Sequence, residues 1–177
     1  IINDYELSIV NSLRRIILSE IPNVAIPFDP LISNNDHLKI YKNTSSLHNE
    51  SLMQRISLIP VCLSVDEVEH FSAMNYKFQL KVKNTTLDIR NVTSRDIQIF
   101  DIDGNLMSTE FHERIFPINP ITHQYILITR LKPNPYHPDK GEEINIEFRA
   151  TKDIAKTHAR WCPVSQCCFE NVVDEAT

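Results

Sequence analysis

From Leu7 the apolar positions Ile9, Val10, Leu13, Ile16, Ile17 and Ile21 keep helical spacing until Pro22 ends the run. Asn3 and Asp4 offer an N-cap, and Glu6, three residues after Asn3, completes a capping box. At about 100° per residue these positions, with Leu7 and Leu18, spread over roughly 200° of the circumference. That is about twice the apolar width a helix needs to lie on one core. Arg14 falls inside the stripe, while Ser12, Arg15 and Ser19 lie on the polar side. Such a helix is either central in its own domain or covered from outside by another chain. Two readings of Arg14 stay open: a snorkelling stem whose head reaches water, or an anchor at a subunit interface.

Beyond the helix the pattern predicts short strands around Val24–Ile26 and Leu38–Tyr41, split by a polar turn at Ser33–Asp36. A second helix is expected from Leu47 to Ser57, with Ser46 as its cap, a narrow stripe of Leu52, Ile56 and Ile59, and Pro60 beyond its end. His48 and Arg55 share one flank of it. The period then changes to two. Tyr76 to Lys83 alternates cleanly, as a half-solvated antiparallel strand should. Leu87–Val92, Ile97–Ile102, Tyr125–Leu131 and Glu143–Ala150 read as further strands, and Val164–Glu170 as a closing one. Lys132 to Gly141, with Pro133, Pro135 and Pro138, reads as an extended loop without helix or ladder. The fold class is α+β, with a seam near Pro60.

The 177 residues suffice for one domain or two small ones, and 42% hydrophobic with 23% charged residues suits a globular chain. A net charge of −5 argues against non-specific nucleic-acid binding as the main task. Only Gly104 and Gly141 are present, far apart, so phosphate-cradling loops are excluded. No apolar run reaches membrane-span length. Four cysteines, two of them adjacent, make a poor disulfide framework, and a reduced intracellular protein is expected. The Asn-x-Ser/Thr triplets at Asn43, Asn49, Asn84 and Asn91 are too close to chance number to indicate glycosylation.

Candidate chemistry is thin. His158 with Cys162, Cys167 and Cys168 is the best metal set, but it lacks a Cys-x-x-Cys pair, and on a strand the adjacent cysteines would face opposite ways. Buried small hydrophobes is the preferred reading of these thiols. Neither Cys62 nor Cys162 sits where its pKa would fall enough for nucleophilic work. Glu142-Glu143 and the Asp66, Glu67, Glu69 group read as solvated edges and turns. Lys77, Gln79, Lys81 and Lys83 form a mildly basic strand face, taken as an ordinary wet surface. No metal and no cofactor is expected.

Asn11-Ser12-Leu13-Arg14-Arg15-Ile16-Ile17-Leu18-Ser19-Glu20-Ile21-Pro22 closely resembles the signature helix of the RNA polymerase alpha-like family. His48-Asn49-Glu50 with Arg55-Ile56-Ser57-Leu58-Ile59-Pro60 resembles that family's second motif, and Lys156-Thr157-His158-Ala159-Arg160-Trp161-Cys162-Pro163-Val164 its third. Val92–Ile97 and Ile126–Pro133 also fit. The resemblance implies a non-catalytic assembly subunit: a dimerisation domain interrupted by a mostly β insert, paired with a smaller alpha-like chain. That pair is the platform for the second-largest and largest catalytic subunits, with small platform subunits alongside, and without direct sequence-specific nucleic-acid or membrane contact. By the same resemblance Asn11, Ser12, Leu13, Arg14, Arg15 and Ile17 belong to the dimer interface. His48, Asn49, Glu50, Arg55, Ile56, His158, Ala159 and Trp161 face the large subunit. The implied division is residues 1–60 for the dimerisation domain, 61–170 for the insert and 171–177 for the start of the returning segment or a tail. The family's returning helix does not follow the third block, so the sequence is expected to be part of a longer chain.

From about Cys62 to His123 the insert holds no cysteine beyond Cys62, unlike the zinc-binding insert usual in the nuclear messenger-making version. This points to the version shared by other nuclear polymerases, a divergent lineage or a large DNA virus. Localisation follows transcription: the nucleus for a cellular eukaryote, the cytoplasm or virion for a virus. Competing with the scaffold are a small zinc or thiol enzyme built on His158, Cys162 and Cys167, and a glycosylated β-rich adhesion module.

Overall fold

The computed structural model describes residues 6–28 and 37–170. In chain order it contains α1 (Leu7–Ser19), β1 (Pro22–Ala25), β2 (Leu38–Asn43), α2 (Asn49–Ser57), α3 (Val65–Glu69), β3 (Lys77–Lys83), β4 (Arg90–Thr93), β5 (Ile97–Phe100), α4 (Thr109–Ile115), β6 (Leu127–Leu131), β7 (Glu143–Phe148) and β8 (Thr151–Ile154). Short 3-10 turns lie at Ser94–Asp96, Pro138–Lys140 and Ala159–Trp161. The α+β expectation holds. The chain divides into two compact units, Ile1–Asn23 with Asp153–Thr177, and Val24–Lys152. Pro60 therefore lies inside the larger unit, and residues 171–177 fall outside the described ones.

In the larger unit four antiparallel strands run in the order β2-β7-β3-β5, and a second sheet pairs β4 with β6. The clean alternation of β3 is realised: Phe78, Leu80 and Val82 are buried, while Lys81 and Lys83 are exposed. Their register partners in β7, Phe148, Ile146 and Ile144, are buried beside them. Phe78 stacks on Phe148 at 5.4 Å between ring centroids and meets Phe116 edge-on at 5.9 Å. Leu52 and Ile56 of α2 join this core, and Ile59 follows just beyond the helix. The stripe read from the sequence is thus the face that anchors α2.

Several expectations are corrected. The cap of α2 is His48, without a side-chain hydrogen bond, and the helix starts too late for Ser46. The cap of α1 is Glu6, whose side chain makes no capping bond to the backbone but accepts from the Ser8 hydroxyl at 3.3 Å; Asn3 and Asp4, like the turn at Ser33–Asp36, lie outside the described residues. The Pro-rich loop contains one 3-10 turn at Pro138–Lys140. Pro138 opens it because a missing N–H costs nothing in a first turn. Residues 164–170 form no strand, and the late strand is β8 at Thr151–Ile154, which pairs with β1. Leu87 and Ile89 precede β4 and are exposed.

Two positions fix loops of the larger unit. Asn84 is fully buried; its amide donates to the carbonyls of Asp88 and Leu131, and its oxygen accepts from the Thr86 backbone and hydroxyl. A group so enclosed is no glycan acceptor. Gly141 packs so closely on it that an added Cβ would sit 2.1 Å from the Asn84 carbonyl oxygen. Its φ of −63° is ordinary, so close approach alone demands glycine there.

Candidate subunit interface

α1 buries no residue at all. Viewed down its axis, the apolar stripe splits in two. Val10, Arg14, Ile17 and Leu18, with Asn11 beside them, are half-buried; Ile9, Leu13 and Ile16 form an adjoining flank that is open to solvent. Leu7 at the helix start is open as well. The Nε and Nη2 of Arg14 donate to Asn11 Oδ1 at 3.1 and 3.0 Å, one turn back. Ser12 and Ser19 return their hydroxyls to the carbonyls of Ser8 and Arg15, which keeps the polar side self-contained. Ser12 and Arg15, both in the implied dimer interface, are thus exposed but off the apolar flank.

Within the same compact unit the third sequence block closes the helix end. The Lys156 backbone N–H donates to the Ser19 carbonyl at 3.1 Å, and the Cys162 thiol lies 3.5 Å from the Leu18 carbonyl oxygen. These are orphan carbonyls of a last helical turn, which need outside donors. Lys156 also pairs with Glu20 at 3.6 Å. His158 caps the turn Ala159–Trp161: its Nδ1 accepts from the Arg160 backbone N–H at 3.2 Å and from Arg160 Nε at 3.1 Å. The imidazole meets Trp161 edge-on at 6.3 Å, and the Arg160 guanidinium stands over the indole at 5.6 Å. His158 and Ala159 are exposed, whereas Trp161 is 7% accessible and serves as the buried pin of the turn.

In the larger unit the second block makes an outward-facing patch. His48, Asn49, Glu50 and Arg55 are exposed; Ile56 is 0% accessible and belongs to the core. Its side chain is not available to a partner. Asn43 organises the helix start, donating to the Leu47 carbonyl and to Asn49 Oδ1 while accepting from Ser45. Together with His48 and Glu50 these residues line a shallow polar hollow of about 450 Å³. Arg55 donates to the Leu127 carbonyl at 2.9 Å, which holds its head over the β6 end. Leu58 adds an exposed apolar side chain just past α2.

The alternative chemistry finds no geometry. Among the described residues no group of three or more His, Cys, Asp or Glu side chains could hold a metal ion. All four cysteines are free; Cys62 and Cys168 are exposed and Cys162 and Cys167 half-buried, which corrects the expectation of buried hydrophobes. Desolvation raises the Cys62 thiol pKa although the residue as a whole is exposed, the reverse of what a nucleophile needs. No helix among the described residues is long and apolar enough to cross a membrane.

Sequence reading missed α3 and α4. Both carry visible start signals: Ser64 accepts from the Glu67 N–H while Glu67 answers the Ser64 N–H, and Ser108 accepts from Phe111. Arg114 Nη1 ties the two helices together, donating to both carboxylate oxygens of Glu67 at 2.6 and 2.7 Å. Arg114 in turn stacks on Phe111 at 5.0 Å. Arg114, foremost, and the Ser64 N–H hold the Glu67 carboxyl at about 2.

Comparison with known proteins supplies the remaining information. The profile of the RNA polymerase Rpb3/Rpb11 dimerisation domain matches residues 1–156. The chain is 29% identical to DNA-directed RNA polymerases IV and V subunit 3B of Arabidopsis thaliana, over 93% of this chain and 50% of that protein. It is 31% identical to a conjugation stage-specific protein of Tetrahymena thermophila, over 90% of this chain and 51% of that protein. It is 26% identical to DNA-directed RNA polymerases I and III subunit RPAC1 of Mus musculus, over 93% of this chain and 48% of that protein. The chain spans about half the length of the curated relatives it matches.

Proposed function

We propose a scaffold role for this chain, which belongs to the RNA polymerase Rpb3/Rpb11 dimerisation domain family. In this reading it is a structural subunit of a multisubunit DNA-directed RNA polymerase, without catalytic residues of its own. It pairs with a smaller alpha-like subunit through α1, and the pair is the platform on which the second-largest and largest subunits assemble, with small platform subunits alongside. The observation that carries the reading is the unburied apolar helix. Ile9, Leu13 and Ile16 present a contiguous open flank that an isolated chain has no reason to keep.

The dimerisation element then comprises α1 and the segment from Asp153 onward, and Val24–Lys152 contains the insert. Asn11, Ser12, Leu13, Arg14, Arg15 and Ile17 lie in or beside the pairing surface, extended by Ile9 and Ile16. The large-subunit contacts are His48, Asn49, Glu50, Arg55, His158 and Ala159, with Ile56 and Trp161 acting as the buried supports that aim them. The protein works at the site of transcription. Affinity purification from the native source tests this: two very large catalytic subunits and a small alpha-like chain should accompany it in stoichiometric amounts. Recovery of the chain as a monomer would refute the scaffold.

A further inference from the structure

The outer face of the sheet β2-β7-β3-β5 runs against the charge of the rest of the molecule. Strand register puts Lys39, Glu147, Gln79 and Gln98 in one cross-strand row, Lys42, Asn145 and Lys81 in the next, and Glu143 with Lys83 in a third. Lys77 stands opposite Phe100, and Arg149 continues the outward positions of β7. Among the described residues six cations thus share a face with two carboxylates, on a chain whose net charge is −5. Both carboxylates are already engaged. Glu143 pairs with Lys42 and, at 3.7 Å, with Lys83; Glu147 pairs with Lys77 at 3.0 Å and accepts from the Tyr41 hydroxyl at 3.4 Å. The Lys42 ammonium holds Glu143 below the ordinary carboxylate range, so it stays ionised and the balance of the face does not change near neutrality. Lys81 is exposed, with the neutral Asn145 as its partner in register. Where Lys39 and Arg149 come together, a hollow of about 350 Å³ opens, lined also by His37, Met74 and Glu147.

We infer that this basic sheet face docks an acidic polypeptide segment of a protein partner, whose carboxylates meet the lysine rows and whose end seats in the hollow beside Arg149. Charge complementarity selects the occupant's sign. A peptide is favoured over nucleic acid for two reasons. A duplex extends over several Debye lengths of about 8–10 Å and meets the acidic remainder of the chain, whereas a short segment feels the local face alone. The centre of the face offers the amides Gln79, Gln98 and Asn145, while its aromatics, Tyr41 on β2 and Phe100 on β5, stand on opposite edge strands and form no row on which successive bases could stack. The inference stands on residues of the larger unit and does not depend on pairing through α1.

Fluorescence anisotropy on the 177-residue chain tests it, with three labelled probes: a 16-residue Glu/Asp-rich peptide, an uncharged peptide of the same length, and a 20-base-pair DNA duplex. The acidic peptide should bind, the uncharged one should not, and affinity should fall as salt rises from 50 to 300 mM. Lys81→Glu should weaken acidic-peptide binding about tenfold, the size expected for reversing one exposed charge in a cluster. Glu147→Gln should strengthen it about threefold, which guards against mistaking a folding defect for lost binding. Tighter binding of the duplex than of the acidic peptide at equal salt would overturn the assignment, as would affinities that ignore both substitutions in chains with unchanged thermal unfolding.

Discussion

Replacing Leu13 by Asp separates the pairing surface from the fold. Ile9, Leu13 and Ile16 leave 47%, 42% and 48% of their surfaces open. For side chains of this size that is roughly 250 Å², and at about 25 cal/mol per Å² covering it is worth about 6 kcal/mol before the costs of association. Leu13 alone supplies roughly 75 Å² of this, or about 2 kcal/mol, and an aspartate adds the penalty of enclosing an unpaired carboxylate. Leu13→Asp should therefore weaken association with the smaller alpha-like subunit by at least ~3 kcal/mol, more than about 100-fold. α1 contributes no residue to the buried cluster, so the chain's own stability should change by less than ~1 kcal/mol. The assay is isothermal titration of the two purified subunits, or size-exclusion of the co-expressed pair, beside urea unfolding of the single chain. Ser8→Asp, on the polar side near the helix N-terminus where a carboxylate is tolerated, is the control and should leave both readouts near wild type. Affinity within about threefold of wild type in Leu13→Asp would refute the reasoning.

Three further outcomes follow from the larger unit. Gly141→Ala forces a methyl against the Asn84 carbonyl and should cost about 2–3 kcal/mol in urea unfolding, although its φ suits any residue. Ile56→Ala should cost about 2–5 kcal/mol of stability by leaving a cavity under α2, read out as a lower melting temperature of the chain alone. Arg114→Ala tests the Glu67 pair through pH. A folded-state carboxyl at about 2 against an ordinary 4.5 contributes stability that is full above pH 4.5 and fades as pH falls toward 2. For this partly exposed pair the contribution is held to about 0.5–1 kcal/mol, so the gap between wild type and Arg114→Ala in urea should be widest at neutral pH and shrink below pH 4.

What the sequence disclosed depended on how long each period ran. Thirteen residues of α1 and seven of β3 repeat their patterns often enough to be read without tertiary help, and both appear where the pattern puts them. The five residues of α3 and seven of α4 complete at most two turns, so their caps, Ser64 and Ser108, were the sole usable signals. β8 has no alternation to reveal it, since Thr151-Lys152-Asp153-Ile154 becomes a strand through its partner β1. Val164–Glu170 shows the reverse case: strand-like composition without a partner strand stays irregular. The interface residues divided along the same line. The over-wide apolar stripe of α1 follows from periodicity alone, but which flank of it stays open, and the burial of Ile56 and Trp161 inside otherwise exposed motifs, come from packing that no linear pattern encodes. The basic sheet face was half visible in the lysines of β3; its other half arrives through register with β2 and β7.

A photo-crosslinking amino acid placed at Ile9, activated in cells that assemble the complete complex, addresses the scaffold reading most directly. The account predicts one dominant adduct, between this chain and the smaller alpha-like polymerase subunit, with none from the same probe placed at Ser8. Crosslinks confined to the chain itself, or equal yields from both positions, would contradict it.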